Sequence, residues 1–276
     1  MAGQARRVVV HLGLQKTGST SLHHVLGLNR LALAGRVTAL MPERGSGLRR
    51  LGMAAMAFSL SPDPANAAAL RTELAAVRDT LLSSEGAALL VSHENLCGAM
   101  PGRAPTGTPY LALERILSLC DEVLAPLRPH YVITLRDPDG WKRSVWAQAV
   151  RSDGYDRPLS VFMDEMAGLT GWDGLLARAA SVVGADRLSA LKVEETRDLL
   201  RPADRLLALL GLDQAEIAAL APLPKLGKTR VNEGALEFLW KANGLGLGAK
   251  ARQRLSELVV QEQALFVQDS RLWGLS

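Results

Sequence analysis

The sequence predicts an α/β fold, a central parallel sheet of about five strands flanked by helices, and two features predict it. Five short runs rich in β-branched residues or leucine punctuate the chain, and each is followed by helix-like periodicity. That alternation builds a parallel sheet with helices on both faces, and such sheets bind ligands at the carboxyl ends of their strands. The first run also breaks into glycine, lysine and hydroxyl residues just where a helical pattern begins. At 276 residues with 48% hydrophobic residues, the chain can fill a substantial core, and a single domain over residues 1–276 is expected.

The strands are expected at Val8 to Leu12, Val37 to Met41, Ala87 to Ser92, Tyr131 to Leu135 and Arg187 to Val193. Helices are expected at Ser19 to Leu33, Pro64 to Ser83, Tyr110 to Ala125, Trp141 to Arg151, Leu175 to Val183, Thr196 to Leu210 and Gly248 to Val267, with another starting near Glu233. Pro62 and Pro64 bracket a turn around Asp63. The segment from Gly98 to Pro109 holds three prolines and three glycines. It reads as an irregular surface loop after a strand end, where an acceptor could be held.

Val8 to Thr20 reads V-V-V-H-L-G-L-Q-K-T-G-S-T. An anion can sit at such a strand-to-helix turn. The first turn of a helix leaves backbone N–H groups unpaired, its dipole adds partial positive charge, and Gly13 and Gly18 let the backbone approach closely. Lys16 adds a full charge. The common nucleotide loop is G-x-x-x-x-G-K-[ST]; here glutamine precedes the lysine and Gly18 follows two residues later, so the loop departs from that form.

Further on, His130 to Asp137 reads H-Y-V-I-T-L-R-D, a buried-strand pattern ending in arginine, and P-D-G-W-K-R-S opens a helix behind it. Arg136 and Ser144 stand eight residues apart. Arginine offers a planar fork to phosphate oxygens, and serine adds one hydroxyl bond.

These two motifs, in this order, resemble the sulfotransferases that use 3′-phosphoadenosine 5′-phosphosulfate (PAPS). His11 to Leu22 matches the H-x-G-x-x-K-T-G-[ST]-[ST]-[SL] form of the 5′-phosphosulfate loop in many bacterial members. The resemblance implies a P-loop-NTPase-like three-layer fold and sulfuryl transfer from PAPS to a hydroxyl or amine acceptor, leaving adenosine 3′,5′-diphosphate and needing no metal. It implies that Lys16, Thr17, Gly18, Ser19 and Thr20 hold the 5′-phosphosulfate, that Arg136 and Ser144 hold the 3′-phosphate, and that Lys16 stabilises the leaving group. Pro222 to Asn232 carries Lys225, Lys228 and Arg230 and is similar in position and charge to the late basic loop that closes over the nucleotide. It lacks that loop's arginine-lysine-glycine triplet.

A base must deprotonate the acceptor. Ala87 to Leu96 reads A-A-L-L-V-S-H-E-N-L, which leaves His93 and Glu94 adjacent at a strand end. Both types serve as base in the family that the chain resembles. Successive strand residues face opposite ways, so one of the two points at the cofactor. His93 is preferred because its ordinary pKa lies near neutrality, while Glu94 stays an alternative. His11 reads as structural or cofactor-adjacent, and His23 and His24 as ordinary first-helix residues.

Cys97 and Cys120 form neither a disulfide framework nor a metal-ligand pattern, so neither bridge nor zinc is expected. The formal net charge is +4, with seven lysines against 25 arginines. With no dense basic run, nucleic acid is not an expected partner. No stretch has the length and apolar character of a membrane span, and M-A-G-Q-A-R-R runs straight into the first strand, so a cytoplasmic protein is expected. The expected partner is a small-molecule or glycan-like acceptor. The stripe Leu255, Leu258, Val259 and Phe266 packs on the domain or forms a homodimer contact. Trp141 and Trp146 are core residues or adenine contacts. A nucleotide or small-molecule kinase and a non-catalytic nucleotide-binding interaction module are the alternatives.

Overall fold

The computed structural model describes residues 6–43, 46–101, 108–225 and 230–267. In chain order it runs β1 (Arg7–His11), α1 (Ser19–Leu28), β2 (Val37–Leu40), α2 (Gly47–Leu60), α3 (Pro64–Ser83), β3 (Ala88–Ser92) and α4 (Leu113–Leu124). It continues with β4 (His130–Leu135), α5 (Pro138–Gln148), α6 (Leu159–Glu165), α7 (Asp173–Val183), β5 (Leu188–Lys192), α8 (Asp204–Leu209), α9 (Gln214–Ala219), α10 (Glu233–Asn243) and α11 (Ala249–Gln261). All five strands lie in one sheet in the order β2-β3-β1-β4-β5. Every neighbouring pair is parallel, with His11 level with Ser92 on one side and with Val132 on the other.

Burial on both faces explains why the inner strands are nearly continuous apolar runs. Val9, Leu90 and Val132 point into a core shared with Leu22, Val25 and Leu26 of α1, Leu206 and Leu207 of α8, and Ile217 of α9. The alternate residues Val8, Val10, Leu89, Val91, Tyr131 and Ile133 are buried as well. On that opposite face Tyr131 donates its hydroxyl hydrogen to Asp121 of α4 at 3.2 Å, and α3 packs on α4.

Helix ends follow local chemistry. Asp63 caps α3 by accepting the Asn66 N–H at 2.9 Å, with Pro64 in the first turn where no N–H is needed. Several expected helices are shorter than their periodicity suggested, among them α4, which starts at Leu113 rather than Tyr110, and α11, which ends at Gln261 rather than Val267. α1 stops at Leu28 because Asn29 turns its amide onto Val25 O and Ala221 O, both at 2.9 Å, and accepts the Ala221 N–H at 2.8 Å. The stretch from Thr196 to Leu210 is helical only over α8. Pro202 disfavours a helical conformation at Arg201, and Asp198 Oδ1 takes the Leu200 N–H at 2.8 Å in a local turn. α2, α6 and α9 are additions to the expected helices.

The chain divides into two compact units, one from residues 1–100, 109–137 and 171–227, the other from residues 101–108, 138–170 and 228–276. The first unit contains the sheet. In the second, α5 passes into a π-turn at Ala149–Asp153. Asn243 of α10 donates both amide hydrogens, to Val150 O at 2.8 Å and Tyr155 O at 2.9 Å. Tyr155 meets the buried Phe162 edge-on at 5.4 Å. Trp141 and Trp146 are both buried, and the Trp146 indole donates to Arg157 O at 3.1 Å. Of the stripe on α11 and beyond, Val259 is buried and Phe266 packs on Phe238, whereas Leu258 is exposed.

Candidate functional site

The connection leaving β1 runs through α1 on one face of the sheet, and that leaving β3 runs through α4 on the other. The carboxyl ends of β1 and β3 are therefore a topological switch point, where open α/β sheets form a ligand crevice. Residues 12–18 lie at this edge. The loop first extends the ladder to β4, with Leu12 N–H to Val132 O and Leu14 N–H to Thr134 O, both at 2.9 Å. It then turns at Gly13 (φ 87°) and Lys16 (φ 67°), and Gly18 (φ 95°) begins α1. No side chain caps that helix, and no acidic residue occupies its first turn. Ser19 and Thr20 open the turn. The Thr17 hydroxyl donates to Leu14 O at 2.6 Å, so it braces the loop, and its backbone N–H is the group left for an anion. Gln15 ties the loop to the next strand end by donating to Gly98 O at 2.9 Å.

A left-handed conformation is uncommon for lysine and is retained where the surroundings over-determine it. Lys16 is half-buried there. Gly13 is required for two reasons: its positive φ, and the close approach of Glu94. A Cβ at position 13 would lie 2.8 Å from Glu94 Cβ and 2.9 Å from its Cα.

The two base candidates fare differently. His93 Nδ1 accepts the Asn95 N–H at 3.1 Å, capping the 3₁₀ turn Glu94–Cys97. Its other ring edge lies on α2, where a Cβ on Gly52 would fall 1.9 Å from Nε2. Burial lowers the His93 pKa, against the raising field of Glu94. In the neutral ring, with Nδ1 accepting, Nε2 carries the proton, so no lone pair is left for a substrate. Glu94, by contrast, has its Oε2 buried without a hydrogen-bond partner, an unusual state for a carboxylate oxygen.

Beneath the loop runs a buried polar chain that sequence reading missed. Ser92 Oγ lies 2.7 Å from both His11 Nδ1 and His23 Nε2, and His11 Nε2 lies 2.8 Å from Thr134 Oγ1. The one hydroxyl hydrogen of Ser92 goes to one imidazole while the other donates back, so each neutral ring is satisfied in either direction. His23 carried a signal: it follows the inward-facing Ser19 by four residues and precedes Leu26 by three.

Burial first, and the neighbouring His23 second, pull the His11 pKa down to about 3. The unfolded chain binds that proton near pH 6.5 and the folded chain only near pH 3, so stability falls as pH drops through that window. The expected loss from His11 is about 1.4 kcal/mol per pH unit below 6.5. Urea unfolding of wild type and His11→Asn between pH 7 and pH 5 reads this as a difference in slope. Equal slopes would contradict the assignment.

Arg136 follows the carboxyl end of β4, the strand beside β1, so Lys16 and Arg136 belong to one edge of the sheet. Its carbonyl accepts the Trp172 indole N–H at 2.6 Å. Beside the loop lies a cavity of about 210 Å³ lined by Thr17, Ser21 and Leu22 and by Lys192, Thr196 and Arg205 near the end of β5. Lys192 and Arg205 were not singled out in the sequence, though Lys192 closes β5 level with Leu135, one residue before Arg136. In the second unit Ser144 is half-buried on α5, and Arg230 is exposed ahead of α10. Lys228 lies outside the described residues.

No family model matches the chain, and no curated protein matches it. Among solved structures it is similar to a crystal structure of a sulfotransferase from Alicyclobacillus acidocaldarius, at 13% identity and a TM-score of 0.48, over 94% of this chain and 97% of that one. Among the described residues no helix is long and apolar enough to cross a membrane.

Proposed function

We propose that the chain is a sulfotransferase that moves a sulfuryl group from PAPS to a hydroxyl or amine acceptor. The supporting observation is the pairing, at one switch point, of an anion cradle with a buried carboxylate oxygen that lacks a hydrogen-bond partner. A loop that only held nucleotide would gain nothing from a glutamate whose Cα and Cβ lie against Gly13, since a carboxylate beside the cradle opposes an anion. An acceptor O–H or N–H placed there satisfies the oxygen and delivers its proton to it.

PAPS, when bound, supplies the sulfuryl group and a good leaving group. In this reading the backbone N–H groups from Thr17 to Thr20 hold the 5′-phosphosulfate end and keep it still. Lys16 meets the charge that grows on the leaving oxygen. Arg136 grips the 3′-phosphate with its fork. Glu94 takes the acceptor proton, His93 fixes the turn that carries Glu94, and Gln15 locks the loop against that turn.

The testing experiment is thermal denaturation with adenosine 3′,5′-diphosphate against ATP plus magnesium. At a hundredfold excess over Kd, a bound ligand adds about 2.7 kcal/mol, or about 5 °C or more for a chain of this size. Stabilisation by adenosine 3′,5′-diphosphate alone is the expected result; stabilisation by ATP plus magnesium alone would assign the chain to a kinase.

A further inference from the structure

The second unit contains a cavity of about 640 Å³ between the π-turn after α5 and the inner side of α10 and α11. Arg151 of the π-turn lines it. The Arg151 Nε is buried without a hydrogen-bond partner, and among the described residues the Arg151 side chain forms no hydrogen bond or salt bridge. Arg151 as a whole is half-buried, so its guanidinium still reaches the cavity, but an N–H shut off from water without an acceptor is costly, and an acceptor supplied from the cavity is the simplest physical account of it.

The wall opposite is built to match. Ser256 of α11 is 8% exposed, lines the same cavity, and its hydroxyl makes no hydrogen bond among the described residues. Arg252, one turn earlier, donates to Leu247 O at 3.1 Å and lies across Gly154. A Cβ there would come within 3.1 Å of the guanidinium carbon, and φ at Gly154 is 78°. The only lining carboxylate among the described residues is Glu257, whose oxygens are engaged by Gln253 at 3.1 Å and Arg254 at 3.3 Å. Gln253, Gln261 and Ser152 complete a polar, largely uncharged wall.

We propose that this cavity binds a small hydroxylated molecule carrying one oxyanion, such as a carboxylate, sulfate monoester or phosphate monoester of a sugar. Arg151 supplies the counter-charge, Ser256 one hydroxyl bond and Arg252 a second cationic contact. The volume exceeds what a bare inorganic ion fills, and amide and hydroxyl groups on the wall are partners for a polyol. This site is independent of the cradle around Lys16.

Calorimetric titration of the full chain with glucuronate, glucose 6-sulfate, glucose 6-phosphate and plain glucose tests it. The three anions identify the oxyanion preferred, and glucose is expected to bind at least about tenfold more weakly than the best of them. Arg151→Gln is expected to weaken that ligand by about ten- to a hundredfold, and Ser256→Ala by a smaller factor of about tenfold or less. Lys16→Ala should leave the affinity unchanged. Absence of saturable binding by all three anions overturns the proposal. So does a loss of binding with Lys16→Ala but not with Arg151→Gln, which would put the anion in the cradle. Should Arg151→Gln fail to fold, Ser256→Ala and Arg252→Gln decide: unchanged affinity in both counts against the site.

Discussion

Under the proposed sulfuryl transfer, Lys16→Ala is expected to lower the rate by about a hundred- to a thousandfold, the usual cost of removing one preorganised donor from a developing anion. The affinity for adenosine 3′,5′-diphosphate should fall far less, because the proposal leaves the backbone N–H groups and Arg136 to hold the nucleotide. The contrast follows from where the charge acts: a group that meets charge appearing only in the transition state affects turnover more than binding. The φ of 67° at Lys16 adds a second arm. Alanine at that φ keeps the strain, and glycine relieves it, so Lys16→Gly should melt above Lys16→Ala by about 1 kcal/mol while being equally slow. The measurements are transfer of radiolabelled sulfate from PAPS to an acceptor that the wild-type chain uses, and thermal melts of both variants. An unchanged rate in either variant removes Lys16 from the mechanism.

The sheet was legible because its strands are short apolar runs, and buried parallel strands leave few other patterns open to them. All five expected runs coincide with strands to within a residue or two at each end. The Asp63-Pro64 start of α3 was equally readable, since a cap and a proline act locally. α2 escaped because Gly47 and Gly52 lower its helix propensity, and the small alanines and the exposed Met53 blur its apolar stripe. Leu48, Leu51, Ala55 and Phe58 nevertheless recur at spacings of three and four and are all buried. What hid was contact across strands. Adjacency at a strand end made His93 and Glu94 equal candidates, and only α2 distinguishes them, by receiving the His93 ring at Gly52. The chain from His23 through Ser92 to His11 and Thr134 joins four elements whose proximity depends on strand order, and no local spacing encodes that. Arg151 and Ser256 belong to segments far apart in sequence, so neither stands out alone.

Gly13→Ala is expected to destabilise the chain by about 3 kcal/mol, from about 1–2 kcal/mol for a left-handed alanine and a similar overpacking cost. The obstacle is not a flexible side-chain tip. It is the Cα and Cβ of Glu94, at 2.9 and 2.8 Å from where the new methyl would lie, and His93 N–H to His11 O at 3.0 Å holds that backbone in place. Gly18→Ala separates the two contributions. Its φ of 95° is just as unfavourable, yet nothing lies within 4 Å of its added Cβ, so it should cost only the conformational part, about 1–2 kcal/mol. Melting temperatures are expected to fall by about 10 °C for Gly13→Ala and by about half of that for Gly18→Ala. Equal losses would mean that Glu94 yields to the methyl. The carboxylate would then not be held rigidly against the cradle, and its role as the base would lose its structural footing.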